Sequence, residues 1–234
     1  MRRVWRDGSP RRTRPRLDRA RQCRLIASLL CAGWLGYPCG VAISADVSPH
    51  TSAARTSRWW KLTCPDKPAP CVFAVRLRGT INQSRLQLFE EALRRRDTAQ
   101  WALGRIVALE VDVDSPGGQV FAALEIGRIL RRERVPLRMG RHAACVSACV
   151  FVLMGAPERE IAADARIGLH RPSLGDPRRD TLVPAMSEQL AQYAEEMGVS
   201  RRIVEEMLAI PTSRVRFVTV ADLPLYGLSV SIVR

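Results

Sequence analysis

Residues 105–130 read RIVALEVDVDSPGGQVFAALEIGRIL, and their order settles the class of fold. Residues 105–114 are rich in β-favouring side chains and read as a strand. Ser115-Pro116-Gly117-Gly118 reads as a tight turn. Val120, Ala123, Leu124, Gly127 and Leu130 then recur at helical spacing and mark one apolar face of a helix. Strand, glycine turn and helix in that order make half of a βαβ unit.

The same alternation continues on both sides. CVFAVRLRG (71–79) is a second strand, followed by the helical spacing of Leu86, Phe89 and Leu93. Downstream, VPLRM (135–139) is a short strand before the small-residue stretch HAACVSACVFVLMG. Further strands are expected at REIAA (159–163) and ARIGLH (165–170). Met186, Leu190, Tyr193, Ala194 and Met197 form one amphipathic stripe, and Ile203, Val204, Met207 and Leu208 another. The expected class is α/β, built from stacked βαβ units with a helical C-terminal portion.

Three motifs carry chemistry. After Asp114, the paired glycines 117 and 118 let the backbone turn sharply, and the following helix start offers unpaired N–H groups. In Ala144-Cys145-Val146-Ser147-Ala148-Cys149, Ser147 sits between a strand and an apolar helix. There it reads either as a helix N-cap or as a nucleophile with the Ala148 N–H aimed alongside its hydroxyl. In Ile167-Gly168-Leu169-His170-Arg171-Pro172, His170 ends a strand, and only two other histidines occur, His50 and His142.

Taken in order and spacing, these motifs resemble the proteolytic subunit of the Clp protease, within the Clp/crotonase superfold. That family pairs a SPGG turn with a serine in a small-residue stretch and a histidine in an H-x-P motif. They are similar also to secreted Clp-like proteins with a C-x-S-A-C serine motif. The likeness spans roughly residues 71–232 and includes Tyr226-Gly227-Leu228. It implies a spiral of βαβ units and a homo-oligomer acting on a peptide or protein without cofactor or metal. Ser147 would be the nucleophile and His170 the base, with the N–H groups of Gly118 and Ala148 as oxyanion donors. The turn of Ser115, Pro116 and Gly117 would hold substrate.

One member of the pattern differs. The acidic residue of the family falls near Val215, within Pro211-Thr212-Ser213-Arg214-Val215-Arg216-Phe217, where no carboxylate occurs. The expectation is therefore a weak Ser–His dyad or a degenerate module that only grips peptide; Thr212 or Ser213 could orient the imidazole through a hydroxyl or a water. A Ser–Lys dyad is disfavoured, because the only lysines, Lys61 and Lys67, lie upstream of the core. No G-x-x-x-x-G-K-[ST] sequence occurs, so any ATP-driven unfolding belongs to another protein.

The remaining features concern location. The chain has 234 residues and a formal net charge of +14, of which ten arginines and two aspartates in residues 1–24 supply +8. A nucleic-acid footprint would cluster on the folded domain instead, and none is expected. Residues 25–45 (LIASLLCAGWLGYPCGVAISA) carry no charge. With the basic start they read as an export signal or as an anchor held in a membrane, so residues 1–45 form a leader. Either way the domain, residues 71–234, lies outside the cytosol, periplasmic or extracellular. Residues 46–70 read as a linker, in which Trp59 and Trp60 either cap the core or meet a membrane surface.

Four of the seven cysteines follow the leader, an even set that suits an oxidising compartment. Cys64 and Cys71 bracket a proline-containing loop and are read as a disulfide or as two idle thiols. Cys145 and Cys149 flank Ser147, and two separate buried thiols are preferred over a bridge between them. With His142 they make H-x2-C-x3-C, which lacks a fourth metal ligand.

Overall fold

A computed structural model describes residues 55–56, 59–66, 68–172 and 183–234. The leader, residues 1–45, lies outside these. Among the described residues no helix is long and apolar enough to cross a membrane.

Strands β3 (Cys71–Arg78) and β4 (Val107–Asp114) pair in parallel along their whole length, from Cys71 opposite Val107 to Arg78 opposite Asp114. Parallel strands need a crossover, and α1 (Gln83–Leu103) provides it. The helix begins where the Asn82 side chain accepts from the Arg85 N–H, and ends at Gly104 in the left-handed conformation. Both strands bury alternate residues, Phe73, Val75 and Leu77 facing inward beside Leu109, Val111 and Val113. The opposite sheet face carries charge, with Arg78 bonded to Asp112 at 2.9 Å.

The second crossover is α2 (Val120–Arg132), leading to β5 (Leu137–Met139). Next come β6 (Ala144–Val146), α3 (Cys149–Gly155), β7 (Arg159–Ala162) and β8 (Arg166–Leu169). Helices α4 (Val183–Glu196) and α5 (Arg202–Ala209) then precede β9 (Arg216–Val218), a 3-10 turn at Val220–Tyr226 and β10 (Ser231–Val233). The strands form a seven-stranded sheet, β1-β2-β3-β4-β5-β7-β10, and a three-stranded sheet, β6-β8-β9.

The stretch read as a linker differs from expectation. It contributes β1 (Arg55–Thr56) and β2 (Trp60–Thr63), and β2 pairs antiparallel with β3. Trp60 stacks on Phe73 with ring centroids 4.9 Å apart, so it caps the core. The Cys64–Cys71 disulfide closes the turn between these two strands.

Helix α3 is buried along its whole length, and its placement matters because Ser147 immediately precedes it. It crosses α2 at two glycines: a Cβ on Gly155 would lie 2.3 Å from the Gly127 carbonyl oxygen. The Tyr193 hydroxyl donates to the Phe151 carbonyl at 2.8 Å. At the carboxyl end, Arg159 donates to the carbonyls of Leu153 (2.7 Å) and Met154 (2.8 Å), and Arg131 also reaches Met154. These guanidinium groups satisfy carbonyls that a helix end leaves unpaired. Burial, with Arg131 adding positive charge nearby, pushes the Arg159 guanidinium down to about 10.

Candidate active site

The three sequence motifs meet at the carboxyl ends of strands, where open α/β sheets bind ligands. Strand β6 pairs in parallel with β8, with Val146 opposite Gly168. The chain leaves β6 at Ser147 and β8 at His170, from neighbouring strand ends. An isolated parallel bridge joins Ser115, just beyond β4, to Cys145. The glycine turn, Ser147 and His170 therefore belong to one edge of the fold.

Contacts around the turn are closely determined. The Ser115 hydroxyl donates to the Gly79 carbonyl at 2.7 Å and accepts from the Gly117 N–H at 3.1 Å. Ser115 N–H donates to the Ala144 carbonyl, and Val146 N–H donates back to Ser115. The Asp114 carboxylate accepts from the Ala144 N–H at 3.0 Å. Together these bonds join the turn to the strand that delivers Ser147. Asp114 and Ser115 thus hold the turn against that strand, and Ser115, read as part of a substrate-binding turn, is only 1% exposed. Ser115→Ala removes two hydrogen bonds from a buried site and is expected to cost about 1–3 kcal/mol in urea unfolding. An unchanged midpoint would show the hydroxyl to be dispensable.

The two glycines have separate reasons. Gly118, with φ of 145°, bridges Ile81, and a Cβ there would lie 2.1 Å from the Ile81 carbonyl oxygen. Gly117, with φ of 98°, lies directly on the Ser147 turn. Its Cβ would meet the Val146 oxygen at 2.5 Å, the Ser147 Cβ at 2.8 Å and the Ala148 nitrogen at 3.0 Å. Gly117 and Ser147 are therefore in contact.

Ser147 itself has φ of 58°, the left-handed region that a serine rarely occupies. Its N–H donates to the Gly168 carbonyl at 2.9 Å and its carbonyl accepts from Val150, which holds the turn in place. Helix α3 starts at Cys149 with Ala148 as cap and no capping side chain, so the N-cap reading of Ser147 does not hold. Among the described residues the Ser147 hydroxyl has no hydrogen-bond partner, and neither has the N–H of Gly118 or of Ala148. A strained, partly exposed serine with an unpaired hydroxyl, followed by the unpaired Ala148 N–H, costs stability without contributing to the core.

Cys145 and Cys149 form a disulfide with Cα atoms 5.2 Å apart, against the preference for two separate thiols. The bridge closes the segment that holds Ser147 at its middle. His142 pairs instead with Asp164 at 3.1 Å, on the surface.

The imidazole of His170 is partly exposed, and its Nδ1 lies 2.9 Å from the Arg171 carbonyl oxygen. A carbonyl only accepts, so in the neutral ring Nδ1 carries the proton and Nε2 the lone pair. That tautomer is the one a general base requires. Among the described residues neither Thr212 nor Ser213 bonds to the ring directly, while the Arg171 backbone does. Antiparallel pairing of β8 with β9 ends with Leu169 opposite Arg216, one residue short of His170 on one strand and of Val215 on the other. Among the described residues no carboxylate bonds to His170, and no hydrogen bond joins His170 to Ser147. Two cavities, of about 230 Å³ and 420 Å³, lie elsewhere, the first beneath Trp59 and Trp60 and the second between Arg138 and Ser229.

No family model matches the chain, and no curated protein sequence does. Solved structures match in fold. ClpP1 from Listeria monocytogenes has a TM-score of 0.52 at 19% identity, over 69% of this chain and 92% of that one. The 1510-N membrane-bound stomatin-specific protease, as a mutant in complex with a substrate peptide, has a TM-score of 0.52 at 22% identity. That match covers 70% of this chain and 74% of the other. The fold is that of the Clp-type proteases.

Proposed function

We propose that this chain is an exported serine hydrolase that cleaves peptide bonds with a Ser–His dyad. The observation that carries this reading is Ser147: left-handed backbone and unpaired hydroxyl, in contact with Gly117 and followed by the unpaired Ala148 N–H. In the reaction, Nε2 of His170 takes the hydroxyl proton as Oγ bonds to the substrate carbonyl carbon. The oxyanion receives the N–H groups of Gly118 and Ala148, each such donor being worth roughly 10²–10³ in kcat. His170 then returns the proton to the departing amine, and water hydrolyses the Ser147 ester by the same steps.

The absent acid lowers the rate but does not remove the base. In a triad, loss of the acid costs roughly 10⁴ in kcat when the imidazole is left in the wrong tautomer. Here the Arg171 carbonyl favours the right tautomer, although it stabilises an imidazolium less than an anion would. Export is supported by the uncharged residues 25–45 and by two disulfides, which persist in oxidising compartments. Assembly into a homo-oligomer follows the resemblance.

The missing Ser147–His170 hydrogen bond favours a second reading, a non-catalytic module that grips an extended peptide at the Gly117–Gly118 turn. Hydrolysis of a fluorogenic peptide library separates the two. The hydrolase reading expects turnover by the native chain that falls to background in Ser147→Ala and in His170→Ala. Peptide binding without cleavage by the native chain supports the module.

A further inference from the structure

Strand β1 runs antiparallel to β2, and β2 antiparallel to β3, so β1 and β3 point the same way. Arg55 lies opposite Leu62, and Leu62 opposite Phe73, so β1 starts toward the end of the sheet where β3 and β4 begin. That end is apolar. Trp101 is 87% exposed, Leu103 45% and Ile106 72%, around the left-handed cap of α1 at Gly104. The disulfide-closed loop beside them exposes Pro65, Pro68, Ala69 and Pro70, together with one carboxylate, Asp66. Arg105 does not present its charge there, because its guanidinium donates to the carbonyls of Pro65 and Ala69.

Folding does not account for this surface. Helix α1 buries Leu86, Phe89 and Ala92, and Trp101 lies outside that stripe. Contiguous exposed apolar side chains mark an interaction surface, and tryptophan is enriched where water meets lipid headgroups. The uncharged residues 25–45 are long enough to lie across a bilayer, which needs ~20 residues. Residues 46–54 join them to β1 and span at most about 30 Å when extended. The arginines of residues 1–24 precede that stretch, as the positive-inside rule requires for a domain on the far side.

We infer that this end of the domain rests on a phospholipid bilayer, with Trp101, Leu103 and Ile106 among the headgroups. Strand β4 separates the patch from the Gly117–Gly118 turn, about 26 Å at ~3.3 Å per residue. The bilayer thus covers one end of the sheet and leaves the candidate site open to solvent. The inference is independent of the hydrolase reading, since it concerns the opposite end and uses none of its residues.

The full chain, reconstituted in vesicles of phosphatidylcholine with a minority of phosphatidylglycerol, provides the test. The emission of Trp101 is the difference between the native chain and Trp101→Phe. In vesicles of lipid brominated high on the acyl chain, that emission is expected to fall by about half or more. A tryptophan introduced near the turn by Phe121→Trp, in the Trp101→Phe chain, is expected to be unquenched. Equal Trp101 emission in brominated and ordinary vesicles would overturn the inference, whether water or a second copy covers the patch. Failure of the chain to sediment with vesicles, or equal quenching at position 121, would overturn it too.

Discussion

Replacing Ser147 by glycine is expected to abolish hydrolysis and, in the same molecule, to raise the unfolding free energy by about 1 kcal/mol. A serine at φ of 58° carries backbone strain of roughly 1–3 kcal/mol, which glycine does not. Against that gain stands the extra freedom of glycine in the unfolded chain, about 0.5–1 kcal/mol. The hydroxyl makes no hydrogen bond among the described residues, so its removal gives up no partner. Ser147→Ala keeps the strain and loses the nucleophile, and its stability is expected to stay near that of the native chain. Urea midpoints and peptide turnover measured on both variants separate strain from chemistry. A less stable Ser147→Gly, or one that still turns over, would contradict this assignment of Ser147.

Gly117→Ala is expected to lower turnover by about 10² or more while leaving a folded protein, less stable by about 1–3 kcal/mol. Its Cβ meets the backbone of Val146 and Ala148 and the Cβ of Ser147 within 3.0 Å, and none of these is the end of a flexible side chain. Either the Gly117–Gly118 turn or the Ser147 turn must move, and the N–H of Gly118 or Ala148 is then aimed elsewhere. Gly140→Ala is the matched control, because a Cβ at Gly140 meets nothing within 4 Å. Circular dichroism and peptide turnover of the two variants provide the comparison. Native turnover in Gly117→Ala would show that the turn takes no part in the reaction.

These expectations also show what residue types convey and what they do not. Strands β3 and β4 were legible because β-favouring residues recur along them, and α2 because its apolar stripe has helical spacing. The Gly117–Gly118 turn was legible because few residues other than glycine accept such φ values. Strand β2 was not: Trp60-Lys61-Leu62-Thr63 is too short to show a period, and only its antiparallel partner β3 makes it a strand. The strain at Ser147 leaves no trace in the sequence, since nothing about a serine announces a left-handed backbone. The carbonyl that orients His170 was equally hidden, because every residue has one and only the fold selects which is near. The Cys145–Cys149 bridge was open to either reading, because Cys145 lies in a strand and Cys149 opens a helix, so helical spacing does not apply.

The most direct measurement is the mass of the intact chain after incubation with a small fluorophosphonate, followed by peptide mapping. If the hydroxyl at 147, the ring at 170 and the two amides act together, the native chain gains one phosphonyl group, attached at Ser147. Ser147→Ala should gain none, and His170→Ala should react far more slowly. A folded native chain that takes up no phosphonyl group, or takes it up on another residue, would contradict the hydrolase.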